Sequence, residues 1–355
     1  MKKILMTGGG TAGHVTPNIA LFSPLKKNDF EIFYIGTENG IEKKLIGQEN
    51  IPYFSIKAGK LRRYLDIKNL TDIVKISQGY LQALSLINKI KPDIVFSKGG
   101  FVSSPVVWAA WTKRIPVVIH ESDITPGLAN KISIPFSKSI CYSFPETINY
   151  LPKGKSKLTG IPVRQSLFRG DKNFGRKLCS FNNRKPIVLI IGGSLGSQIL
   201  NTIIRSSLQD LLKNFQICHI CGKGNSDASL KNLEGYKQFE YANEELPHLF
   251  AAADIIVSRA GATTLNEFLA LKKPNILIPL SRQASRGDQI LNAESYRKQG
   301  FSFVIQEEEL NKEKLINAIK KVYNDRNEYI KIMSESNMNN GIQEVMSVIL
   351  DNVKE

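Results

Sequence analysis

The chain has 355 residues, 42% of them hydrophobic and 23% charged, with a formal net charge of +16 at pH 7. This length favours two domains, and this composition is that of a globular protein, which excludes a disordered or fibrous chain. No apolar run approaches the roughly 18 residues of a membrane-spanning helix, and four cysteines are too few for a disulfide framework, which favours a reducing cytoplasm.

The positive charge is concentrated in the first half of the chain. Residues 1–160 contain 22 lysines and arginines against 11 acidic residues, whereas residues 161–355 contain 26 against 21. Such an excess attracts anionic partners, namely nucleic acid, anionic lipid or a phosphorylated substrate. The alternative is a generally basic surface with no specific partner.

Short apolar runs alternate with longer amphipathic stretches along the whole chain. The first run, at residues 3–7, is too short for the apolar region of a signal peptide and predicts a β-strand. Further strands are predicted at residues 31–35, 53–56, 93–97, 116–120, 139–142, 187–191, 216–220, 255–258, 275–278 and 302–305. Helices are predicted to begin near Thr16 and to span residues 72–90, 262–271 and 312–323. This alternation is typical of an α/β fold with parallel sheets covered by helices.

The pattern restarts near residue 186, where a strand again runs into a glycine-rich turn. Two doubly wound, Rossmann-like domains in series are the simplest explanation. They are expected to join somewhere around residues 160–183, and the stretch 169–184 is polar, contains glycine and is poor in apolar residues, as expected of a linker.

Glycine-rich turns follow three of the predicted strands, at residues 7–14, 98–103 and 192–196. Glycines let the backbone approach a bulky anion, and the N-terminus of the following helix offers unpaired N–H donors. Because the carboxyl ends of parallel strands share one edge of a sheet, the turns of one domain are expected at a common ligand site. A single such turn can also close a tight strand–helix corner without any ligand.

Residues 258–267 form the most informative pattern. A strand ends at Ser258, small residues turn the chain, and Glu267 falls in the first turns of the next helix. Small residues admit a diphosphate at the helix N-terminus, and a nearby carboxylate can accept hydrogen bonds from both hydroxyls of a ribose. Alternatively, Glu267 only complements the helix dipole.

The sequence favours neither a metal ion nor another cofactor. It contains no Asp-x-Asp pair of the kind that holds a divalent ion on a nucleotide diphosphate. Cys218 and Cys221 have C-x-x-C spacing, but they fall on a predicted strand and no second pair follows. Nucleic acid is not an expected partner either, because neither an aromatic RNA-binding motif nor a helix-turn-helix signature accompanies the basic residues.

Seven segments resemble, in order and spacing, the MurG family of bacterial N-acetylglucosaminyltransferases, a GT-B family classified as glycosyltransferase family 28. They are GGTAGHVTP (9–17), KGGFVSSP (98–105), HESDITPGLAN (120–130), TGIPVR (159–164), GGSLG (192–196), SRAGATTLNE (258–267) and DQILNA (288–293). The resemblance extends from residue 3 to about residue 300. It implies two Rossmann-like domains that face each other over a cleft.

The resemblance implies an acceptor-binding, membrane-facing domain at 1–163, a UDP-sugar-binding domain at 164–340 and a C-terminal helix at 341–355 that packs on the first domain. The implied reaction is inverting transfer of N-acetylglucosamine from UDP-N-acetylglucosamine to the 4-hydroxyl of undecaprenyl-diphosphate-linked muramoyl-pentapeptide. A UDP-N-acetylglucosamine 2-epimerase of the same fold is the alternative enzyme. A basic nucleic-acid-binding protein is the alternative from another class.

The same resemblance implies the site residues. Glu267 is expected to bind the ribose, Gln289 the donor sugar, and Arg164 and Ser194 the diphosphate. The segment that lines the nucleotide comprises Ala262, Thr263, Thr264 and Leu265. The residues expected to face the transferred sugar and the acceptor are Thr11, Ala12, Gly13 and His14, with Asp123 also on the donor sugar. The residues expected at the acceptor diphosphate are Gly9, Gly10, Gly99 and Gly100.

His14 is the first candidate for the base. A neutral imidazole at the end of the first glycine-rich turn can take a hydroxyl proton near pH 7. The alternative is that His14 only hydrogen-bonds the substrate or caps the turn, and Glu121 is the second candidate for the base.

The sequence departs from the family pattern in three places near the sugar. Ala12 stands where family members usually have glycine, and Ser122-Asp123 stands where they have Gln-Asn. Asp288 replaces a glutamine that often precedes Gln289. Asp123 lacks the amide donor of an asparagine, so the departures concern the contacts to the sugar and not those to the nucleotide.

Residues 57–91 are predicted to meet the membrane, because the undecaprenyl chain of the acceptor stays in the bilayer. Basic residues (Lys57, Lys60, Arg62, Arg63, Lys68, Lys75) stand there beside apolar ones (Leu61, Tyr64, Leu65, Leu70, Ile73, Ile76, Tyr80). Basic side chains attract anionic lipids and apolar ones insert into the interface, which predicts a peripheral protein on the cytoplasmic face of the inner membrane. The alternative is a helix whose apolar side packs into the domain while its lysines are solvated.

Overall fold

A computed structural model describes residues 1–59, 68–182, 184–193, 196–282, 285 and 287–353, with backbone alone for residues 68–71 and 339. The chain divides into two compact units, one formed by Met1–Arg164 with Asn340–Glu355 and the other by Gln165–Asn339. Each unit is built around one parallel β-sheet. The predicted α/β class with two parallel-sheet domains is therefore confirmed.

Seven parallel strands form the sheet of the first unit: β1 (Lys2–Thr7), β2 (Phe30–Gly36), β3 (Tyr53–Ser55), β4 (Ile94–Ser97), β5 (Val117–Glu121), β6 (Ser139–Tyr142) and β7 (Ser156–Leu158). Their order is β3-β2-β1-β4-β5-β6-β7, so the chain begins in the middle of the sheet, extends to one edge and then builds the other. The helices between them are α1 (Thr16–Lys27), α2 (Ile41–Gly47), α3 (Lys68–Ile90), α4 (Ser103–Thr112) and α5 (Leu128–Ser133).

Both faces of this sheet are covered, which explains why its central strands are continuous apolar runs. Ile4 of β1 points to one face and packs in a cluster with Leu21 of α1. Leu5 points to the opposite face and packs with Ile87 of α3 and Val106 of α4.

Six parallel strands form the sheet of the second unit: β8 (Ile187–Ile191), β9 (Gln216–Ile220), β10 (Tyr236–Phe239), β11 (Ile255–Ser258), β12 (Asn275–Leu277) and β13 (Phe303–Val304). Their order is β10-β9-β8-β11-β12-β13. The helices are α6 (Lys172–Leu178), α7 (Gln198–Leu211), α8 (Leu246–Ala252), α9 (Ala262–Ala270), α10 (Asp288–Lys298), α11 (Lys312–Asn324) and α12 (Arg326–Ser334). Val188 of β8, Ile204 of α7 and Leu315 of α11 belong to one buried cluster.

The last helix, α13 (Gly341–Asn352), packs on the first unit. Val345 and Ile349 are fully buried in the same cluster as Ile4 of β1. The helix starts against the backbone of the first unit, since a Cβ on Gly341 would lie only 2.4 Å from the carbonyl oxygen of Ile161. The core of the first unit therefore includes residues from both ends of the described chain.

Every strand predicted from the sequence occurs, with its ends within about one residue of the prediction. The strands β7 and β10 were not predicted. Both lie at an edge of their sheet and consist largely of partly exposed residues, so they lack the continuous apolar run that marks a central strand.

The two units divide between Arg164 and Gln165, within the range of 160–183 in which the sequence placed the boundary. The polar stretch 169–184 is not an irregular linker, however, because α6 occupies its middle. Asp171 caps the helix by accepting a hydrogen bond from Phe174 N at 2.8 Å. Gly175 lets α6 pack closely on α8, since a Cβ there would lie 2.2 Å from the carbonyl oxygen of His248. The polar sequence reflects a short helix that is exposed on one side.

None of the helices in the part of the chain that the structure describes is long and apolar enough to cross a membrane.

His219 is buried at the end of β9, and its two ring nitrogens contact Asn201 Oδ1 at 3.0 Å and Tyr236 Oη at 2.8 Å. Burial, and next the positive charge of Arg205, lower the pKa of His219 to about 3. At pH values between about 3 and the ordinary histidine pKa of 6.5, His219 binds a proton in the unfolded chain but not in the folded chain. Acid therefore favours the unfolded state, and the stability of the fold rises with pH in this window.

We expect this single histidine to cost about 2 kcal/mol of stability at pH 5.0 relative to pH 7.5. Urea unfolding at the two pH values checks this by comparing the wild type with His219→Gln, which retains an amide for hydrogen bonding. The variant should lose less stability on acidification. An equal loss in both proteins would show that other groups cause the acid sensitivity.

Candidate active site

The carboxyl ends of β1 and β4 bring two glycine-rich turns into contact in the first unit. Gly9 N donates to Gly99 O at 3.3 Å, and Lys98 N donates to Thr7 O at 2.9 Å. Gly100 has a φ of +87°, and a Cβ there would lie 2.1 Å from Gly9 O. Both the backbone conformation and the close approach require glycine at this position.

A buried carboxylate supports the first turn, and sequence reasoning missed it. Glu42 of α2 accepts hydrogen bonds from Gly10 N at 3.1 Å, from Thr37 N at 3.0 Å and from Thr37 Oγ1 at 2.5 Å. A Cβ on Gly9 would lie 2.6 Å from Glu42 Cδ. The glycines of the turn therefore also make room for the carboxylate that holds it.

These contacts limit what the turns can offer to an acceptor diphosphate. The N–H groups of Gly9 and Gly10 already donate to Gly99 O and Glu42, and Gly99 N lies 3.4 Å from Ser97 Oγ. Of the four glycines predicted at the acceptor diphosphate, Gly100 is the remaining candidate donor. The other three would act by permitting close approach of the substrate.

His14 ends the first turn and is half-buried. Its Nδ1 lies 3.1 Å from Gly9 O and 3.2 Å from Thr11 Oγ1. Because a carbonyl oxygen can only accept, Nδ1 carries the proton and Nε2 has the lone pair. Burial, and next the positive charge of Lys98, lower the pKa of His14 to about 4, against smaller opposing effects of Gly9 O and Glu42. The imidazole is therefore uncharged at neutral pH, as a base must be.

The other predicted residues of this turn lie on or near the surface. Thr11 is exposed, whereas Ala12 and Gly13 are half-buried. Residues Ala12–His14 form a single 3-10 turn, closed by a hydrogen bond from His14 N to Thr11 O at 3.1 Å. The backbone of the turn thus fixes the position of the imidazole.

Glu121, the second candidate for the base, organises the turn that follows β5. Its Oε1 accepts from Ser122 N at 2.8 Å and from Asp123 N at 3.0 Å. Its Oε2 accepts from Gly127 N at 3.0 Å and from Asn130 Nδ2 at 2.8 Å. Burial, and next the negative charge of Asp123, raise the pKa of this carboxyl. Both oxygens therefore serve the fold of the turn, and Asp123 lies half-buried beside them.

In the second unit, the turn after β8 lies close to the end of β9. Gly196 has a φ of +78°, and a Cβ there would lie 2.2 Å from Cys221 O. Gly193 also has a positive φ, of +93°, but open space surrounds its Cβ position. Ser194, predicted to bind the diphosphate, lies outside the described residues. Arg164, the other predicted diphosphate ligand, is the half-buried residue at the end of the 1–164 segment.

A buried ion pair holds the strand ends of the second unit together, and sequence reasoning missed it too. Arg259 forms an ion pair with Glu307, and both side chains are almost entirely buried. The guanidinium also donates to Ile278 O at 3.1 Å and to Ser197 Oγ at 2.6 Å. This single side chain therefore joins the ends of β11 and β12 to the N-terminus of α7.

Gln289 lies in the first turn of α10, where it connects two neighbouring turns. Its Oε1 accepts hydrogen bonds from Ala260 N at 3.3 Å and from Leu280 N at 3.1 Å. The Oε1 atom of Gln289 is therefore already hydrogen-bonded within the protein. The Nε2 atom is the one suited to donate a hydrogen bond to a sugar hydroxyl.

The helix α9 follows β11, as predicted, with Gly261 at its N-cap. The N-terminus of a helix carries a partial positive charge that favours an anion. Thr263 and Thr264 are half-buried at this end. The other predicted nucleotide residues, Ala262, Leu265 and Glu267, are buried.

These two units, each a parallel sheet with glycine-rich turns at its carboxyl edge, define an α/β protein of the GT-B type. The model of the glycosyltransferase family 28 N-terminal domain matches residues 4–142, and that of the family 28 C-terminal domain matches residues 187–349. The chain therefore belongs to glycosyltransferase family 28, and the family resemblance inferred from its motifs is confirmed.

The curated relatives are similar over their whole length. The chain is 57% identical, over 98% of its own length and 97% of the relative's, to the UDP-N-acetylglucosamine–N-acetylmuramyl-(pentapeptide) pyrophosphoryl-undecaprenol N-acetylglucosamine transferase of Clostridium perfringens strain SM101. Among solved structures, it is similar to Acinetobacter baumannii MurG, with a TM-score of 0.78, 25% identity and coverage of 99% and 100% of the two chains. A UDP-GlcNAc 2-epimerase from Neisseria meningitidis shares the fold, with a TM-score of 0.70, 14% identity and the same coverage.

Proposed function

We propose that this protein transfers N-acetylglucosamine from UDP-N-acetylglucosamine to the 4-hydroxyl of the undecaprenyl-diphosphate-linked muramoyl-pentapeptide. The observation that carries the proposal is the 57% identity, over 98% of the chain, to a relative that is named for this transfer. A neutral imidazole beside two glycine-rich turns supports it, because the attacking hydroxyl must give up its proton to a base.

In the proposed reaction, the acceptor hydroxyl oxygen bonds to the anomeric carbon while the bond from that carbon to the UDP oxygen breaks. The hydroxyl proton passes to His14 Nε2, and the electron pair leaves with UDP, giving a β-linked product with inversion. The N-terminus of α9, Arg164 and Ser194 would stabilise the leaving diphosphate. Glu267 would bind the ribose and Gln289 Nε2 the donor sugar. We propose that the site needs no metal ion.

The epimerase alternative has less support. The 14% identity to the Neisseria meningitidis epimerase shows a common fold and nothing more. For the nucleic-acid alternative, the net charge of +16 is the supporting observation. A surface of anionic lipid would attract this positive charge equally well, so the charge does not favour nucleic acid as the partner.

Incubation of the purified protein with labelled UDP-N-acetylglucosamine and an analogue of the lipid-linked acceptor tests the proposal. We expect label in a disaccharide product, with a rate unchanged by a chelator. Epimerised donor in the absence of acceptor would instead establish the epimerase. Affinity for RNA or DNA without any turnover would favour the third interpretation.

We further propose that the protein meets the membrane through an apolar face formed by Ile73, Val74 and Leu81 of α3 and Trp111 of α4, here called the α3–α4 face. Each of these side chains is more than half exposed. Tyr80 Oη and Thr112 Oγ1, 3.0 Å apart, join the two helices. Trp111 is held edge-on against Phe136, with ring centroids 5.1 Å apart.

Basic residues accompany this face. Lys75 on α3 and Lys113 and Arg114 just after α4 are exposed. The residues of the predicted membrane segment that lie outside the described residues, or whose side chains do, are Lys60, Leu61, Arg62, Arg63, Tyr64, Leu65, Lys68 and Leu70. The apolar–basic pairing of the described part supports reversible binding to an anionic bilayer surface.

Sedimentation with lipid vesicles checks this proposal. We expect binding to anionic vesicles at low salt, weaker binding at high salt and little binding to neutral vesicles. The double variant Lys113→Glu, Arg114→Glu should weaken binding at least about 30-fold, since each basic residue near the surface contributes about 1 kcal/mol.

The matched control is Lys26→Glu, Lys27→Glu, because both lysines are exposed on α1, which covers the opposite face of the sheet. This control should retain most of the binding. Equal losses in the two double variants, or binding that ignores lipid charge, would contradict docking through the α3–α4 face.

A further inference from the structure

Lys98 is a buried lysine that the proposed mechanism does not use. It follows β4 directly and is only 1% exposed, which makes it one of the largest fully buried side chains in the described chain. Its Nζ donates a hydrogen bond to Ser122 Oγ in the turn after β5. Lysine is rarely buried without a specific partner, because removing an ammonium from water is costly.

Acidic residues near Lys98 favour its charged, ammonium form. Glu121 is the acidic residue that most favours its positive charge, followed by Asp123. Burial lowers the pKa of Lys98 to about 8 in spite of these partners, so most of the protein carries the ammonium at neutral pH. Its positive charge lowers the pKa of two histidines, His14 and His120.

We propose that Lys98 is a positioning residue of the transferase site, a buried cation that holds the turn after β5 through Ser122, packs against the start of the turn that carries His14 and acts on that imidazole through its charge. The proposal rests on the proposed function, because it assigns to His14 the role of base. It adds a residue that acts on that base without touching the substrate.

The groups that face His14 support this inference. From its own turn come Gly9 O and Thr11 Oγ1, both on Nδ1. From β4 comes the charge of Lys98, which opposes a proton on the ring, and from α2 comes that of Glu42, which favours one. Lys98 is the larger of the two, so the net effect of the neighbouring charges is to keep the imidazole neutral in the resting protein.

The position of Lys98 also explains why it can act on both turns. Its backbone N–H is bonded to Thr7 O in the strand that leads to the His14 turn. Its side chain ends on Ser122, next to the carboxylate that organises the turn after β5. A Cβ on Gly8 would lie 3.1 Å from Lys98 Cβ, so the lysine packs directly against the start of the first turn.

Nuclear magnetic resonance of protein labelled with ¹⁵N-histidine tests the electrostatic part without any substrate. The chain contains four histidines, and His14→Gln identifies the signal of His14. In the wild type, we expect this signal to remain that of a neutral imidazole at pH 5.5. In Lys98→Met and Lys98→Gln, which remove the charge, the titration of His14 should move to higher pH. Lys98→Arg should restore the wild-type behaviour.

Lys27→Met, at an exposed site on α1, is the matched control and should leave the His14 titration unchanged. Ser122→Ala separates the two roles, because it removes the hydrogen bond and keeps the charge. It should raise KM or lower kcat with no change in the titration of His14. A shift in Ser122→Ala as large as that in Lys98→Met would mean that displacement of the turn, and not charge, is responsible, which would overturn the proposal.

The pH profile of kcat/KM gives a second measurement. The acidic limb of the two neutral variants should lie at higher pH than that of the wild type, since the profile reports the free protein. Absence of transfer in the wild type, with the shift of the His14 signal intact, would refute the proposed function and leave the electrostatic role of Lys98 standing. No shift in either neutral variant would refute that role whatever the activity.

Should both neutral variants fail to fold, the unaltered protein still gives an answer. As Lys98 loses its proton near pH 8, the His14 signal should show a second, smaller change centred there. A His14 signal that is constant from pH 7 to 10 would overturn the proposal.

Discussion

Replacement of His14 by alanine is expected to lower kcat about 10²- to 10⁴-fold, which is the range that a positioned general base contributes. The Nδ1–H of His14 is bound to Gly9 O, so Nε2 is the nitrogen that can take the acceptor proton. Since the imidazole contributes mainly in the transition state, KM for UDP-N-acetylglucosamine should change little. Steady-state kinetics with the acceptor analogue measure both constants.

Thr11→Val is the matched control for this variant. It removes the contact between Thr11 Oγ1 and His14 Nδ1 and leaves the bond to Gly9 O. One hydrogen bond of about 1 kcal/mol corresponds to a loss of about fivefold. If His14→Ala retained turnover within a few-fold of the wild type, the assignment of His14 as the base would be wrong.

Glu121→Ala is expected to lower the stability of the first unit by about 4 kcal/mol, because it leaves four hydrogen-bond donors without their acceptor. Three are backbone N–H groups of one turn, and the fourth is the buried amide of Asn130. Urea unfolding followed by circular dichroism measures the loss.

The matched control is Glu38→Ala, because Glu38 is exposed and its ion pair with Lys43 lies on the surface. Such an exposed pair contributes little to stability, because solvent screens it. A Glu121 variant that kept its stability and lost only kcat would contradict the structural role. It would instead support Glu121 as the base.

The sequence predicted the class of fold well because central parallel strands are buried on both sides. Runs such as Ile187–Ile191 are apolar throughout and end at turns rich in glycine, so their pattern is visible without neighbours. The edge strands β7 and β10 are partly exposed, and their residues do not differ from those of a loop. The helix α6 was overlooked for the same reason, since most of its residues face solvent.

The candidate site was predictable where a residue type has a local reason to stand in a turn. Gly100 and Gly196 are examples, because a positive φ and a close backbone contact both demand glycine. Glu42, Lys98 and Arg259 were missed. Their partners Gly10, Ser122 and Ser197 lie in turns or at a helix N-cap far away along the chain. A single charged residue in a sequence carries no sign that it will be buried.

The packing of α13 has a consequence for the order in which the protein folds during synthesis. The second unit is formed by one continuous stretch of chain, and the first unit is not. Val345 and Ile349 complete a core that starts with Ile4, so the first sheet, whose last strand ends at Leu158, is synthesised well before the helix that completes its core, which begins at Gly341. Contacts so distant along the chain form slowly. We expect the second unit to reach its native state first, and the N-terminal half of the chain to expose apolar surface to chaperones until α13 is released.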